Sequence, residues 1–126
     1  MKKFVKMSGS EKEIMKAIWE LAVPVTMAEL LNIFQSRKWK TQTISTFLTR
    51  LADKGLLNIT KQKNINIYTA VITEQKYNQL EAQNLLNSMY NGSLQNFLSA
   101  LYGGGDIDAN EAEELKKWFE RVRKND

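Results

Sequence analysis

The chain has 126 residues, of which 43% are apolar and 25% are charged, as in a globular protein with one domain or one small domain plus an oligomerisation element. No segment approaches the roughly 18 consecutive apolar residues of a membrane span, and no apolar stretch follows the basic start, so we expect a cytoplasmic protein without membrane insertion. The absence of Cys and His excludes disulfides, thiolate or imidazole metal sites, and catalysis by Cys or His.

Two helices are predicted within the first 37 residues, and both open with a capping box. Ser8, Ser10 and Thr26 each precede a glutamate by three residues, so the first helix should begin near Ser8 or Ser10 and the second at Thr26. Pro24 should end the first helix, because proline restricts the residue before it and donates no backbone hydrogen bond. The second helix is expected to run to about Arg37.

A third helix is predicted from about Thr41 to Lys54, where Gly55 supplies the left-handed residue that often closes a helix. Its apolar residues have the spacing of one buried stripe: Ile44, Phe47, Leu48 and Leu51. The other face carries short polar side chains and one guanidinium group: Gln42, Thr43, Ser45, Thr46, Thr49 and Arg50. Ser and Thr weaken a helix, but they suit a surface that enters a groove and binds phosphates and base edges.

After Gly55 the pattern alternates between β-branched and polar residues, which predicts a hairpin with strands at 56–60 and 65–71 around a polar turn at 61–64. Three helices followed by a hairpin with Lys61 and Lys63 at its tip is the order of a winged helix-turn-helix, in which the third helix enters the major groove. Residues 1–72 have a net charge of +7 and residues 73–126 one of −3, which favours a polyanionic partner for the first part.

The remaining residues predict three amphipathic helices. The first covers 74–90, with Tyr77, Leu80, Leu85 and Met89 on its apolar side; the second stops at the glycines 103–105, and Asp108 caps the third. Such stripes need a partner surface, so we expect dimerisation through Leu94, Phe97, Leu98, Leu101, Leu115, Trp118, Phe119 and Val122. The predicted fold is mainly α with a small β-hairpin: a winged-helix domain at 1–72 and a helical dimerisation region at 73–126.

Residues 10–71 resemble the penicillinase-repressor family. The resemblance lies in Glu13-Ile14-Met15, Ile18-Trp19, Trp39, Thr43-Ile44, Thr49-Arg50-Leu51, Lys54-Gly55 and Tyr68, and the segment 111–115 is similar to the final helix of that family. It implies a homodimeric repressor of dyad-symmetric operator DNA, with no cofactor. The candidate DNA-contacting residues are Thr41, Gln42, Thr43, Ser45, Thr46, Arg50, Lys61, Lys63 and Asn64.

The same resemblance implies a membrane sensor of β-lactams that triggers cleavage in a segment aligned with residues 95–102. The family's Asn-Phe cleavage pair aligns with Ala100-Leu101, whereas Asn96-Phe97 lies one turn earlier, so cleavage of this chain stays open. Gln42 and Ser45 stand where basic residues are expected in the antibiotic-resistance members, which leaves the operator sequence open. A thiolate copper switch, as in the copper-responsive branch, is excluded because the chain has no cysteine.

Other interpretations are weighed against these. The third helix could belong to a winged-helix protein that binds other proteins, and Arg50 could pair with Asp53 or Glu20. Lys61 and Lys63 could serve solubility alone. Trp19 and Trp39 are interpreted as core residues, and Trp118 and Phe119 as part of a dimer core rather than a ligand pocket. An acidic run could support catalysis or a divalent-cation site, but it is better explained as a solvated helix start: Asp106, Asp108, Glu111, Glu113 and Glu114.

Overall fold

The computed structural model describes residues 4–103 and 105–123; Gly104, within the predicted glycine linker, lies outside them. This part of the chain is mainly helical with one two-stranded antiparallel hairpin, which confirms the predicted fold class. The elements are α1 (Gly9–Leu21), α2 (Met27–Ile33), α3 (Thr41–Asp53), β1 (Leu57–Gln62), β2 (Ile65–Ala70), α4 (Glu74–Tyr90), α5 (Leu94–Leu101) and α6 (Ala109–Val122).

The first two helices begin as their capping boxes predict. Ser8 caps α1, because its Oγ accepts from the N–H of Glu11 at 3.2 Å while Glu11 Oε1 accepts from the N–H of Ser8 at 3.0 Å. Thr26 and Glu29 form the same reciprocal pair at the start of α2. Of the two serines considered for the first helix, Ser8 is therefore the cap, and each box satisfies backbone donors that a helix start leaves free.

The second helix is shorter than predicted. It ends at Ile33 and is followed by a separate 3-10 turn, Gln35–Arg37, so the expected continuous helix to Arg37 is wrong. The N–H of Arg37 donates to the carbonyl of Phe34 at 2.9 Å, and Lys38 then adopts a left-handed conformation with φ 58°. This tight reversal brings Trp39 against Phe34, with ring centroids 5.2 Å apart, a contact that helical periodicity does not encode.

The third helix ends in a Schellman motif. Gly55, with φ 79°, donates its N–H to the carbonyl of Ala52, and Leu56 donates to the carbonyl of Leu51. Leu51 and Leu56 are both buried, so the hydrophobic contact of the motif accompanies the hydrogen bonds. The motif directs the chain from α3 into β1 and thereby sets where the hairpin starts.

The hairpin has a two-residue turn, Lys63-Asn64, with φ values of 50° and 67°. Lys61 and Gln62, which were predicted in the turn, pair instead with Asn66 and Ile65 as part of β1. Both central residues of such a turn need positive φ to match the twist of the strands, and a longer loop is not required. Tyr68 also exchanges backbone hydrogen bonds with Val25, which attaches the hairpin to the segment before α2.

The core lies among α1, α2, α3, the hairpin and the first turns of α4. It contains the α3 stripe Ile44, Leu48 and Leu51, and each such side chain contributes about 1.5–3 kcal/mol relative to an exposed one. The contacts between residues divide the protein into two compact units, Met1–Asn84 and Leu85–Asp126. No helix in residues 4–103 and 105–123 is long and apolar enough to cross a lipid bilayer.

The start of α4 belongs to the first unit. Tyr77 is buried among its core residues, and its hydroxyl accepts the N–H of Met7 at 3.0 Å. Lys12 of α1 donates to Glu81 at 2.9 Å, and this hydrogen bond raises the pKa of Lys12 above its usual value of 10.5. The predicted functional boundary after Ile72 stays a prediction, while the structural unit continues through these residues to Asn84.

Candidate nucleic-acid interface

The predicted contact face of α3 lies opposite its buried stripe. At 100° per residue, Gln42, Thr46 and Thr49 project away from the core, with Arg50 beside them. Gln42, Thr49 and Arg50 are exposed and Thr46 is half-buried; Thr43 and Ser45 flank the face and are half-buried as well. The helix therefore presents hydroxyl, amide and guanidinium groups on one continuous surface.

The hydrogen-bonding groups of this surface are largely available. Its one side-chain hydrogen bond among the described residues joins Thr46 Oγ1 to the carbonyl of Gln42 at 3.0 Å, with the hydroxyl as the donor. Thr46 is left with an acceptor lone pair and a methyl group, whereas the amide of Gln42 can donate and accept. These capacities match a base-edge amino group, a thymine methyl, and the donor and acceptor pair of adenine.

The start of α3 is not capped like the starts of α1 and α2. Lys40 holds the N-cap position, and no side chain among the described residues bonds to the first turn. The first intrahelical bond runs from the N–H of Ile44 to the carbonyl of Lys40 at 3.1 Å. The preceding N–H groups therefore remain available at the positive end of the helix dipole, where an anion is favoured.

A groove of about 430 Å³ joins the start of α3 to two other elements. It brings three predicted contact residues, Thr41, Gln42 and Ser45, next to β2 and the beginning of α2. The remaining lining residues were not predicted to contact DNA: Thr26, Met27, Ala28, Ile65, Asn66 and Tyr68. The tertiary packing of α2 and the hairpin brings them beside α3, so no local sequence signal could have found them.

The predicted wing residues are exposed, but they occupy two kinds of position. Lys61 lies in β1, opposite Asn66, whereas Lys63 and Asn64 form the turn. Left-handed backbone is common for Asn but unfavourable for Lys, which makes Lys63 a strained position held by the hairpin. The two lysines thus place positive charge on the strand and at its tip.

Arg50 forms no ion pair with Asp53 or Glu20, so the structural pairing considered from the sequence is not observed. Glu11 lies nearby instead, with only 2% of its surface exposed, and it accepts a hydrogen bond from Lys54 at the end of α3. Burial raises the pKa of Glu11, but the hydrogen bonds from Lys54 and Ser8 and the positive charges of Lys54 and Arg50 outweigh it and lower that pKa below 4.5. The carboxylate is therefore ionised and ties α1 to the end of α3.

Aromatic packing supports the other end of α3. Trp39 is half-buried and lies 5.2 Å, centroid to centroid, from both Phe34 and Phe47. Arg37 lies over the Trp39 ring at 4.6 Å and also pairs with Glu13 at 3.2 Å. Trp39 is thus attached to the core from the turn before α3, in agreement with its interpretation as a core residue. Trp19 likewise packs against the core and donates its indole N–H to the carbonyl of Ile72 at 2.8 Å.

The second unit exposes the predicted dimerisation residues. No side chain within residues 85–103 and 105–123 is buried, and Leu101, Trp118 and Val122 are 63%, 43% and 51% exposed. Leu94, Phe97, Leu98, Leu115 and Phe119 are half-buried or exposed. The expected apolar side of α4 is only partly realised, since Tyr77 is buried but Leu85 and Met89 are exposed.

The acidic run at the start of α6 behaves as a helix start. Asp108 Oδ1 accepts the N–H groups of Asn110 and Glu111 at 2.7 and 3.4 Å. In the described part of the chain, no three acidic residues converge in a way that could hold a metal ion. The pKa of Tyr102 is raised above its usual value, chiefly by a side-chain hydrogen bond to Glu111 and also by burial.

Comparison with known proteins identifies the family. The profile described as "Penicillinase repressor" matches residues 7–121, which is most of the chain. This chain belongs to the penicillinase repressor family. It is 32% identical over 120 residues to the penicillinase repressor of Bacillus licheniformis, covering 95% of this chain and 94% of that protein. It is 26% identical over 114 residues to the methicillin resistance regulatory protein MecI of Staphylococcus aureus strain N315, covering 90% and 93%.

Two solved structures resemble this penicillinase repressor family member over part of its length. The solution structure of the DNA binding domain of the repressor BlaI gives a TM-score of 0.53 at 36% identity, covering 61% of this chain and 94% of that one. The monomeric form of Bacillus licheniformis BlaI in complex with the blaP half-operator gives 0.50 at 36% identity, with the same coverage. The winged helix predicted from the sequence is confirmed, and the family is one of repressors rather than of enzymes.

Proposed function

We propose that this protein represses transcription by binding operator DNA as a homodimer, with α3 in the major groove and the hairpin against the backbone. The observation that carries the proposal is the exposed polar face of α3, whose available hydroxyl and amide groups lie beside a basic hairpin. The similarity to BlaI, a repressor solved with a half-operator, supports the same use of this unit. A repressor acts where the DNA is, so we also propose a cytoplasmic location.

The charge along α3 indicates which end enters the groove. A helix about 10–12 Å wide fills the major groove of about 12 Å, so its exposed face meets base edges and its ends meet phosphates. The uncapped N–H groups stand at the Thr41 end, whereas Asp53 at the other end is an exposed carboxylate that phosphates would repel. We expect α3 to contact bases with its N-terminal half and to leave Asp53 outside the groove.

Sequence preference and general affinity come from different residues. Gln42 and Thr46 face the base edges and would discriminate between base pairs. Lys61 and Lys63 would bind phosphates and supply affinity that falls with salt, because binding releases counterions from the DNA. Arg50 is exposed and forms no ion pair with Asp53 or Glu20, so it is available for either role.

The homodimer is proposed from the second unit. Among its described residues this unit has no buried side chain, and Leu101, Trp118 and Val122 are exposed. Contact of this apolar surface with water is unfavourable. A second copy offers the same apolar surface, and a two-fold dimer would place two α3 helices on half-sites about one helical turn apart.

Fluorescence anisotropy across a salt series tests this function. Full-length protein is titrated against duplex DNA from upstream of its own gene and against a scrambled duplex of equal composition. Salt-sensitive binding that prefers the upstream duplex, with two protomers per site, supports a dimeric repressor. Binding that is absent or equal for both duplexes contradicts it and favours a winged helix that binds another protein.

Sensor-triggered cleavage of this chain stays open, and its two candidate bonds differ in exposure. Ala100 and Leu101 are exposed at the end of α5, whereas Phe97 is half-buried against Tyr90 at 5.5 Å between ring centroids. Of the two candidate bonds, we therefore propose the one at Ala100-Leu101. Intact-mass measurement of the protein from cells exposed to a β-lactam would show a fragment ending at residue 100; a chain that stays whole would contradict the proposal.

A further inference from the structure

A residue outside the predicted contact set lies beside the recognition surface. Asn66 of β2 is exposed and lines the same groove as Thr41, Gln42 and Ser45. It lies opposite Lys61 in the register, and alternation along β2 places it on the same face of the hairpin as the buried Tyr68. That face is directed toward the helices, so Asn66 flanks α3.

The chemistry of the groove points to a phosphate rather than a base. Its polar lining consists of uncharged hydroxyl and amide groups, and the side chains of Asn66, Thr41 and Ser45 have no hydrogen-bond partner among the described residues. Because α3 fills the width of the major groove, a residue on a neighbouring strand reaches the sugar–phosphate wall and not the base edges. Asn, Ser and Thr side chains are frequent donors to phosphate oxygens.

We propose that Asn66 is a DNA-backbone contact, donating its amide N–H to a phosphate oxygen held between β2 and the first turn of α3. This inference rests on the proposed function and adds a contact without charge. The contact fixes how deeply α3 sits in the groove, and so positions Gln42 without itself reading sequence. Since it neutralises no phosphate, it adds affinity but no salt dependence.

The register supplies a matched control. Asn58 of β1 is also an exposed asparagine in the same hairpin, but it lies one residue from Ile59, which pairs with the buried Tyr68, and so faces the opposite side. Asn66→Ala should weaken binding of the full-length protein to the upstream and scrambled duplexes by the same factor, about tenfold for each half-site, as expected for a hydrogen bond to a charged group. The salt slope should stay that of the wild type, and Asn58→Ala should change affinity less than twofold.

A charged substitution separates a phosphate contact from a structural effect. Asn66→Lys should restore the affinity lost in Asn66→Ala and steepen the salt slope by about 0.9 for each half-site, while Asn58→Lys should not. The inference is overturned if Asn66→Ala binds like Asn58→Ala, or if it weakens only the upstream duplex, which would indicate base reading. It is also overturned if Asn66→Lys leaves the slope unchanged. Wild-type protein that shows no salt-sensitive preference for the upstream duplex refutes the proposed function itself, whereas the other failures leave that function intact.

Discussion

Removing the hydroxyl of Tyr77 tests whether α4 is part of the winged-helix core. Tyr77 is 1% exposed, and its hydroxyl is the acceptor for the N–H of Met7, which is itself 5% exposed. Tyr77→Phe keeps the ring against Phe4 and Trp19, at centroid distances of 5.5 and 6.2 Å, but leaves a buried donor without a partner. The cost of such a group is about 1–3 kcal/mol of unfolding free energy.

For a unit of this size, each kcal/mol lowers the melting temperature by about 4–8 °C, which differential scanning calorimetry resolves easily. The amide of Met7 should also lose protection in hydrogen exchange, because its native hydrogen bond is gone. Tyr90→Phe is the matched control, since Tyr90 is only half-buried and lies in the second unit, and it should change stability by less than about 0.5 kcal/mol. Equal stability of the two variants, with unchanged exchange at Met7, would refute the packing of α4 described above.

Three further predictions concern the ion pair, the recognition face and the dimer. Glu11 has a lowered pKa in the folded state, so its ion pair with Lys54 stabilises the protein above about pH 4.5, and this stabilisation is lost as the pH falls through the folded pKa. In urea denaturation, Glu11→Gln should therefore lower the free energy of unfolding by about 1–3 kcal/mol at neutral pH and by little in acid. An equal loss at both pH values would contradict this. Thr46→Ala should reduce the affinity for the upstream duplex about five- to tenfold and leave the salt slope unchanged, although alanine is the better helix former. An equal loss of affinity for scrambled DNA would show that Thr46 does not contact base edges. Val122→Asp should yield monomers in sedimentation experiments, because it would bury a carboxylate in the apolar dimer interface. The control variant Lys117→Asp, on the polar face of α6, should remain dimeric. If Val122→Asp is also dimeric, that side of α6 is not part of the interface.

Much of the candidate site was predictable because its signals are local. The exposed positions of α3 follow from helical periodicity, which separates Ile44 and Leu48 from Gln42 and Thr46 without any knowledge of the fold. The hairpin followed from the alternating residues after Gly55. The contact roles of these residues stay predictions, since they depend on a DNA partner.

The end of the second helix and the length of the hairpin turn were predicted wrongly because contacts with other parts of the chain decide them. The second helix stops at Ile33 because the chain tightens to place Phe34 against Trp39. Lys61 lies in a strand because the pairing of β1 and β2 continues to a two-residue turn. Neither outcome has a signal in the neighbouring residues alone.

By itself, the sequence determined the start of α2, the start of α1 to within two residues, the closing glycine of α3 and the separation of a basic first part from an acidic second part. These features depend on hydrogen bonds and charges within a few residues of each other. Only the tertiary structure decided that Glu11 pairs with Lys54, that Tyr77 completes the first core and that Asn66 flanks α3. Such pairings join residues far apart in the chain, and they form because burying apolar surface brings their elements together, which periodicity cannot specify.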